Sequence, residues 1–367
     1  MMYHASKITI LCVDAMTTFV PPQNSAFVMT NALLTTSPPQ VSVDDARCVM
    51  QSYFDEAEDI KALSGERDRN FMVRSANGDC LTLKFINHAE SAEETAMQVA
   101  VLKHLAASGI EREVPVHIPS ARAVQDWIDV AMPDGPVRVR AYSYLEGSPG
   151  SALQAEPAVW RDIGKAAAQV TKAMQSFEHA GAHRPFLWDV AQLHLLKPML
   201  PVIQQQELHD LVQCFMQQFE QTIQPILKSL PQQVIHNDLS PSNMLSCDAG
   251  KLVVGVLDFG DMVYAPRIAE LAVTASYQMS RGTDPLVVLD AMLAGYSEVL
   301  ELSEPEQAAV LDLVLARLVQ RIVITSWRAD QFPANSTYIL RSRAEAERLF
   351  KQLMTFWKAS RAGDKVR

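Results

Sequence analysis

The sequence predicts an α+β chain in two lobes: a small antiparallel β-sheet lobe with one helix, then a larger, mainly α-helical lobe. Three observations carry this. Between about residues 58 and 86 lie three β-prone runs, and Asn77-Gly78 between two of them is a strong hairpin signal. From Trp160 onwards, apolar residues recur at helical spacing through most of the chain. Val234–Asp261, VIHNDLSPSNMLSCDAGKLVVGVLDFGD, reads as strand, loop, strand, loop, with an acidic residue at each strand exit.

The bulk numbers set bounds. At 367 residues, 48% hydrophobic and 20% charged, the chain has room for two lobes with a core. Net charge is −10 and no Lys/Arg-rich block occurs, which argues against a nucleic-acid partner and suits a small cationic or zwitterionic ligand. Cys12, Cys48, Cys80, Cys214 and Cys247 are scattered and odd in number. That pattern argues against a disulfide framework or zinc site and for a reducing, cytoplasmic setting. Ile8–Val13 follows Lys7 in the manner of a short signal peptide, but Asp14 interrupts it, and no apolar run reaches the ~18 residues of a membrane span.

In chain order, residues 1–40 lack periodicity and are broken by Pro21-Pro22 and Pro38-Pro39, so a poorly ordered arm is expected, with 1–28 upstream of a natural start at Met29. Residues 41–146 form the expected N-terminal lobe and 147–367 the C-terminal lobe. A helix is predicted over Val43–Phe54, with Asp44-Asp45 in its first turn, and strands near 58–64, 70–76 and 80–86. Ser91-Ala92-Glu93-Glu94 reads as a capping box opening a helix to about Ala107. Strands follow near 121–131 and 137–145, joined at Pro133-Asp134-Gly135. Helices are predicted over Trp160–Phe177, Gln204–Leu230, Pro266–Met279, Ser303–Arg328 and Ser336–Ser360.

The chemistry concentrates in Val234–Asp261. His236, Asp238 and Asn243 stand in the frame H-x-D-x-x-x-x-N, and Asp258-Phe259-Gly260-Asp261 follows the β-branched run. Phosphoryl transfer needs positioning and charge neutralisation more than covalent help. Asp238 is expected to accept the hydrogen bond of an attacking hydroxyl. Asn243 and Asp258 offer hard oxygen ligands to Mg²⁺, which takes few protein ligands and leaves the rest to nucleotide phosphates. Gly260 is expected to supply the sharp turn beside the metal. His236 is expected to act as a scaffold within the catalytic segment, bonding backbone near Asp258 rather than shuttling a proton.

HNDLSPSN followed by LDFGD resembles the aminoglycoside phosphotransferase and choline kinase superfamily, which shares its ATP-lobe architecture with protein kinases. GVLDFGDMVYAPRIAELAV looks most similar to the branch with hydroxylysine kinase and the kinase domains fused to class III aminotransferases. The resemblance can be followed from about Val43 to Trp357 and implies a bilobal protein-kinase-like fold. It implies nucleotide contacts at Ser64 and the loop to Asn70, which lacks G-x-G-x-x-G, and at Lys84 as the phosphate-binding strand lysine. Where this superfamily usually pairs that lysine with a helix glutamate, the matching position is Gln98, with Glu94 one turn earlier. Adenine contacts fall at Ser143, Tyr144 and Leu145, and the Trp188-Asp189 pair is shared with this branch.

The expected function is transfer of the γ-phosphoryl of ATP or GTP to a hydroxyl of an amino alcohol or hydroxylated amino acid. The resemblance implies hydroxylysine; homoserine, choline-like and aminoglycoside acceptors stay open. A protein kinase is disfavoured because neither an activation segment nor Ala-Pro-Glu follows Asp-Phe-Gly. An inactive scaffold is disfavoured because Asp238, Asn243 and Asp258 are all present, and no Walker motif occurs. For a cationic acceptor, Asp261 and Glu270, then Trp188 and Asp189, are the candidate contacts, and Arg317 or Arg321 for an acceptor carboxylate.

Overall fold

A computed structural model describes residues 32–361 except 121 and 248. The stretch around Ile8, Cys12, residues 1–28 and the proposed start at Met29 lie outside the described residues, as does most of the expected arm. The chain divides into two compact units, one up to Lys103 with Pro115–Leu145, the other His104–Val114 with Glu146 onwards.

The first unit opens with α1 (Val43–Tyr53), where Ser42 and Asp45 cap each other reciprocally. Then come β1 (Ala57–Leu63), β2 (Arg69–Ser75) and β3 (Cys80–Phe85). The β2–β3 hairpin turns at Asn77-Gly78 with Gly78 at φ 91°. Next are α2 (Ala92–Ser108), β4 (His117–Ile118), β5 (Ile128–Met132) and β6 (Gly135–Ser143). The antiparallel sheet runs β1-β2-β3-β6-β4, and β5 pairs directly with the first half of β6, off that path. Its core is Phe71, Val73, Leu83, Phe85, Val139 and Ala141, packed with Val49 and Met50 of α1. The strand predicted near 121–131 begins only at Ile128, since residues 122–127 form a turn and bends; β4, too short for a periodicity signal, precedes them.

The second unit starts with β7 (Ser148–Pro149) and α3 (Pro157–Ala173), then a 3₁₀ run Val190–Val202 and α4 (Gln206–Gln218). The single helix predicted over 204–230 is instead interrupted. A π-turn at Phe219–Ile223 precedes a short helix containing Pro225, whose ring opposes a regular ladder. Strands β8 (Gln232–Ile235), β9 (Met244–Ser246), β10 (Val253–Val256) and β11 (Val263–Pro266) carry the motif segment. Sheet β10-β9-β7 and the pair β11-β8 are both antiparallel.

Helices α5 (Ala269–Gln278), α6 (Pro285–Ser297), α7 (Glu304–Gln331) and α8 (Arg343–Arg361) follow. The predicted last helix breaks near residues 340–342, where a 3₁₀ turn separates Ser336–Ile339 from α8. No helix was predicted over α6, although Asp284 caps it and Pro285 begins it. Glycine is required where α3 meets α6. A Cβ on Gly164 would overlap the Met292 carbonyl, and one on Gly295 the Arg161 carbonyl. The middle of α7, from Leu313 to Ile324, is buried on all sides, so its polar members Arg317, Gln320 and Arg321 must find partners inside. No helix among the described residues is long and apolar enough to cross a membrane.

Candidate active site

Two loops carry the motif residues. One leaves β8 and returns on β9, spanning 236–243; the other joins β10 to β11, spanning 257–262. They are stitched together by Leu257 N donating to Asn243 O at 2.9 Å and Asn237 Nδ2 donating to Asp261 O at 3.1 Å. Asn237 (φ 65°) and Asp258 (φ 59°) both sit in the left-handed region, which costs a non-glycine residue roughly 1–2 kcal/mol. The sharp turn expected of Gly260 therefore falls on Asp258 itself, whose carboxylate accepts from Gly260 N at 3.3 Å.

His236 is fully buried. Its Nδ1 accepts from Asp238 N at 3.2 Å, so Nε2 carries the proton and donates to Leu257 O at 2.9 Å, one residue before Asp258. Both ring nitrogens are thus bound to backbone, and the ring packs edge-on to Phe259 at 4.7 Å.

Asp238 is half-buried, and each of its carboxylate oxygens is held. Oδ2 accepts from Asn243 Nδ2 at 2.7 Å; Oδ1 accepts from Tyr277 Oη at 3.1 Å and pairs with Arg317 Nη2 at 3.1 Å. Burial pushes the Asp238 carboxyl above its ordinary range, and the Arg317 guanidinium pulls it back. Asn243 spends its amide nitrogen on Asp238, which leaves its carbonyl oxygen for other work. Asp258 is exposed. Two hard oxygens on adjoining loops fit a divalent cation that draws its remaining ligands from phosphates and water. Among the described residues no cluster of three or more His, Cys, Asp or Glu has metal-binding geometry.

Glu270 and Tyr277 lie seven residues apart on α5, two turns and so on one face, and both reach the same loop. Glu270, fully buried, turns Oε2 onto the backbone N–H groups of His236 (2.6 Å) and Asn237 (3.1 Å). It holds the loop from beneath with that oxygen, while Oε1 has no hydrogen-bond partner. Asp189 is likewise engaged with its own surroundings. It is 2% exposed and spends one oxygen on Ala191 N and the other on Gln192 Nε2, as the cap of the 3₁₀ run. Burial pushes its carboxyl up to about 6.

Trp188 is half-buried. Its carbonyl accepts from Asn237 Nδ2 and Arg317 Nη1, and its ring lies 4.6 Å from the Arg317 guanidinium. Asp261 sits 8% exposed on a short turn followed by β11, so it caps no following helix. Arg317 and Tyr277 are the two partners of Asp238 that the motif reading left out. For Arg317 the available signal was a polar triplet at 317, 320 and 321 within the otherwise apolar stretch from Leu313 to Ile324.

The first unit holds the expected nucleotide residues. Lys84, 4% exposed on β3, pairs with Asp68 at 2.7 Å. Gln98 does not supply the lysine's expected partner; its carbonyl oxygen accepts from Arg140. Glu94 closes the capping box, accepting from Ser91 N at 2.9 Å and Ser91 Oγ at 2.8 Å. Ser64 is exposed at the end of β1, and a Cβ on Gly65 beside it would overlap the Asp68 carbonyl. Ser143 N donates to Val116 O and Tyr144 N to Cys80 O, so those two N–H groups are committed to the sheet.

Residues 59–310 match the model of the phosphotransferase enzyme family. Hydroxylysine kinase of Xenopus laevis is 28% identical over 331 residues, covering 84% of this chain and 88% of that protein. The fold is that of a microcompartment-associated aminopropanol kinase (TM-score 0.62, 15% identity, 86% of this chain and 98% of that one). An amicoumacin kinase solved with AMP-PNP and Ca²⁺ is also similar (TM-score 0.60, 17% identity, 84% and 97%). With the H-x-D-x-x-x-x-N and Asp-Phe-Gly loops on this bilobal α+β kinase-like fold, the chain belongs to the phosphotransferase enzyme family.

Proposed function

We propose that this enzyme moves the γ-phosphoryl group of ATP or GTP to a hydroxyl of a small hydroxylated amine or amino acid, with hydroxylysine as the leading acceptor. One observation carries the reading: Asp238 stands on an over-constrained loop with its carboxylate oriented by Asn243, Tyr277 and Arg317. In the step, the acceptor oxygen attacks the γ-phosphorus, the bond to the β–γ bridging oxygen breaks, and the hydroxyl proton passes to Asp238. The bond's electron pair stays on the bridging oxygen, which departs as a terminal β-phosphate oxygen of the nucleoside diphosphate. Mg²⁺ at Asn243 and Asp258 would supply neutralisation of the phosphate oxygens. Lys84 would contact phosphate. With the Ser143 and Tyr144 N–H groups taken, adenine or guanine would be read by the backbone toward Leu145. Asp261 and Trp188 remain candidates for the acceptor's ammonium group. Hydroxylysine as acceptor rests on the names of the curated relatives. Cys48, Cys80, Cys214 and Cys247 are free thiols, in keeping with a cytoplasmic setting.

The test is nucleotide consumption, with ATP and GTP separately and with Mg²⁺ present or chelated, against hydroxylysine, homoserine, choline, aminopropanol and an aminoglycoside. Expected is Mg²⁺-dependent turnover, highest with hydroxylysine and lowered about 10²–10⁴-fold by Asp238→Asn. Turnover unchanged in Asp238→Asn, or none with any hydroxylated amine, would refute the assignment.

A further inference from the structure

The lone pairs of Asp238 are unequally occupied. A carboxylate oxygen offers two in-plane acceptor sites. Oδ1 has two donors, Tyr277 Oη and Arg317 Nη2, each at 3.1 Å; Oδ2 has one, Asn243 Nδ2 at 2.7 Å. Arg317 Nη2 also lies 3.2 Å from Tyr277 Oη, so the two donors and Oδ1 close a triangle. We infer that Arg317 and Tyr277 are positioning residues that saturate Oδ1, leaving Oδ2 as the oxygen that takes the acceptor's proton. The inference rests on Asp238 being the base.

Both clamps are themselves fixed. Arg317 is 1% exposed; its Nη1 donates to Trp188 O at 3.0 Å, and its guanidinium stacks 4.6 Å from the Trp188 ring. Tyr277 leaves the same face of α5 as Glu270, and the Arg321 guanidinium covers its ring at 4.4 Å. Arg321 is anchored in turn by donating to Ser276 O at 2.6 Å. Turning the Asp238 carboxylate would break its bonds to Tyr277, Arg317 and Asn243 at once. A guanidinium fork suits this task because it fixes direction as well as charge, which a lysine ammonium does not. Donors concentrated on one oxygen withdraw its basicity and leave the other the better proton acceptor. The device is remote from the motif in sequence: it is built from helices α5 and α7.

The experiment compares Tyr277→Phe, Arg317→Lys and Arg317→Gln in the full chain, with the best acceptor of the panel above. Tyr277→Phe removes one hydroxyl, and kcat is expected to fall about tenfold, one hydrogen bond's worth. The acceptor KM, the AMP-PNP affinity and the fraction folded should stay within about threefold of wild type. Arg317→Gln should lose more, and Arg317→Lys should recover part of that loss, since charge returns without the fork. Crystals of wild type and Tyr277→Phe with AMP-PNP should differ in the orientation of the Asp238 carboxylate. A Tyr277→Phe kcat within twofold of wild type overturns the inference, as does a loss confined to the acceptor KM, which would put Tyr277 in the acceptor pocket. An unchanged Asp238 carboxylate in the paired crystals overturns it too, whether or not an acceptor has been found. No turnover by wild type on the panel would instead refute the proposed function.

Discussion

Replacing Glu270 tests the support beneath the catalytic loop. Its Oε2 is the acceptor for two backbone donors, His236 N at 2.6 Å and Asn237 N at 3.1 Å, in a fully buried position. In Glu270→Ala both N–H groups lose that acceptor. A buried donor left unpaired costs about 1–3 kcal/mol, so two cost about 2–6 kcal/mol. Wild type also bears a burial penalty on the carboxylate, visible in a carboxyl held above its ordinary range, and the variant recovers part of it. The net loss is about 2–4 kcal/mol, roughly 4–16 °C in melting temperature for a unit of this size. Glu270→Gln keeps an oxygen to accept both bonds and has no charge to bury but sets an amide nitrogen at the buried, unpartnered Oε1 position, so it should lose about 1–2 kcal/mol, less than Glu270→Ala. The assay is calorimetric melting of both variants, with kcat and acceptor KM measured in parallel. Glu270→Ala melting within ~2 °C of wild type would refute the reasoning. Glu270→Gln as damaging as Glu270→Ala, with the damage in acceptor KM, would restore the acceptor-binding role.

Lys84→Ala should weaken ATP more than about tenfold and leave adenosine within twofold, read by calorimetry. Equal losses for both ligands would mean that exposing Asp68 to a vacant partner had damaged the sheet instead. Asp189 should make folding pH-dependent. Unfolded, it ionises near 3.8; folded, it keeps its proton to about 6, so stability falls as pH rises through that window, by up to about 3 kcal/mol. Urea unfolding of Asp189→Asn at pH 4.5, 5.5 and 7 should show a gain over wild type that grows with pH, and a constant difference would refute the burial account. Asp258→Ala should lower the Mg²⁺-dependent part of nucleotide affinity, and equal affinity with and without the metal in both proteins would remove Asp258 from that role.

Local signals were legible because each is decided within a few residues. The Asn77-Gly78 hairpin and the Ser91–Glu94 capping box need no distant partner, and they appear as read. Short or paired elements were less legible. β4 has two residues and β11 four, and both are strands only because β6 and β8 offer them hydrogen bonds. The long helix expected over 204–230 ignored Pro225, and α6 was missed although Asp284-Pro285 marked its start.

The residue types of the motif, and hence phosphoryl-transfer chemistry, are determined by the sequence alone, since carboxylates and a carboxamide in that frame have few other uses. Which residues hold them in place is decided by tertiary structure. Glu270, expected beside the acceptor, takes two backbone donors, because α5 presents it to them in a fully buried position. Arg317, 79 positions from Asp238, and Tyr277, 39 positions away, reach the same carboxylate oxygen. The physical reason is that a buried polar side chain must be paired, and its partner is chosen by the packing of helices rather than by neighbours in the chain.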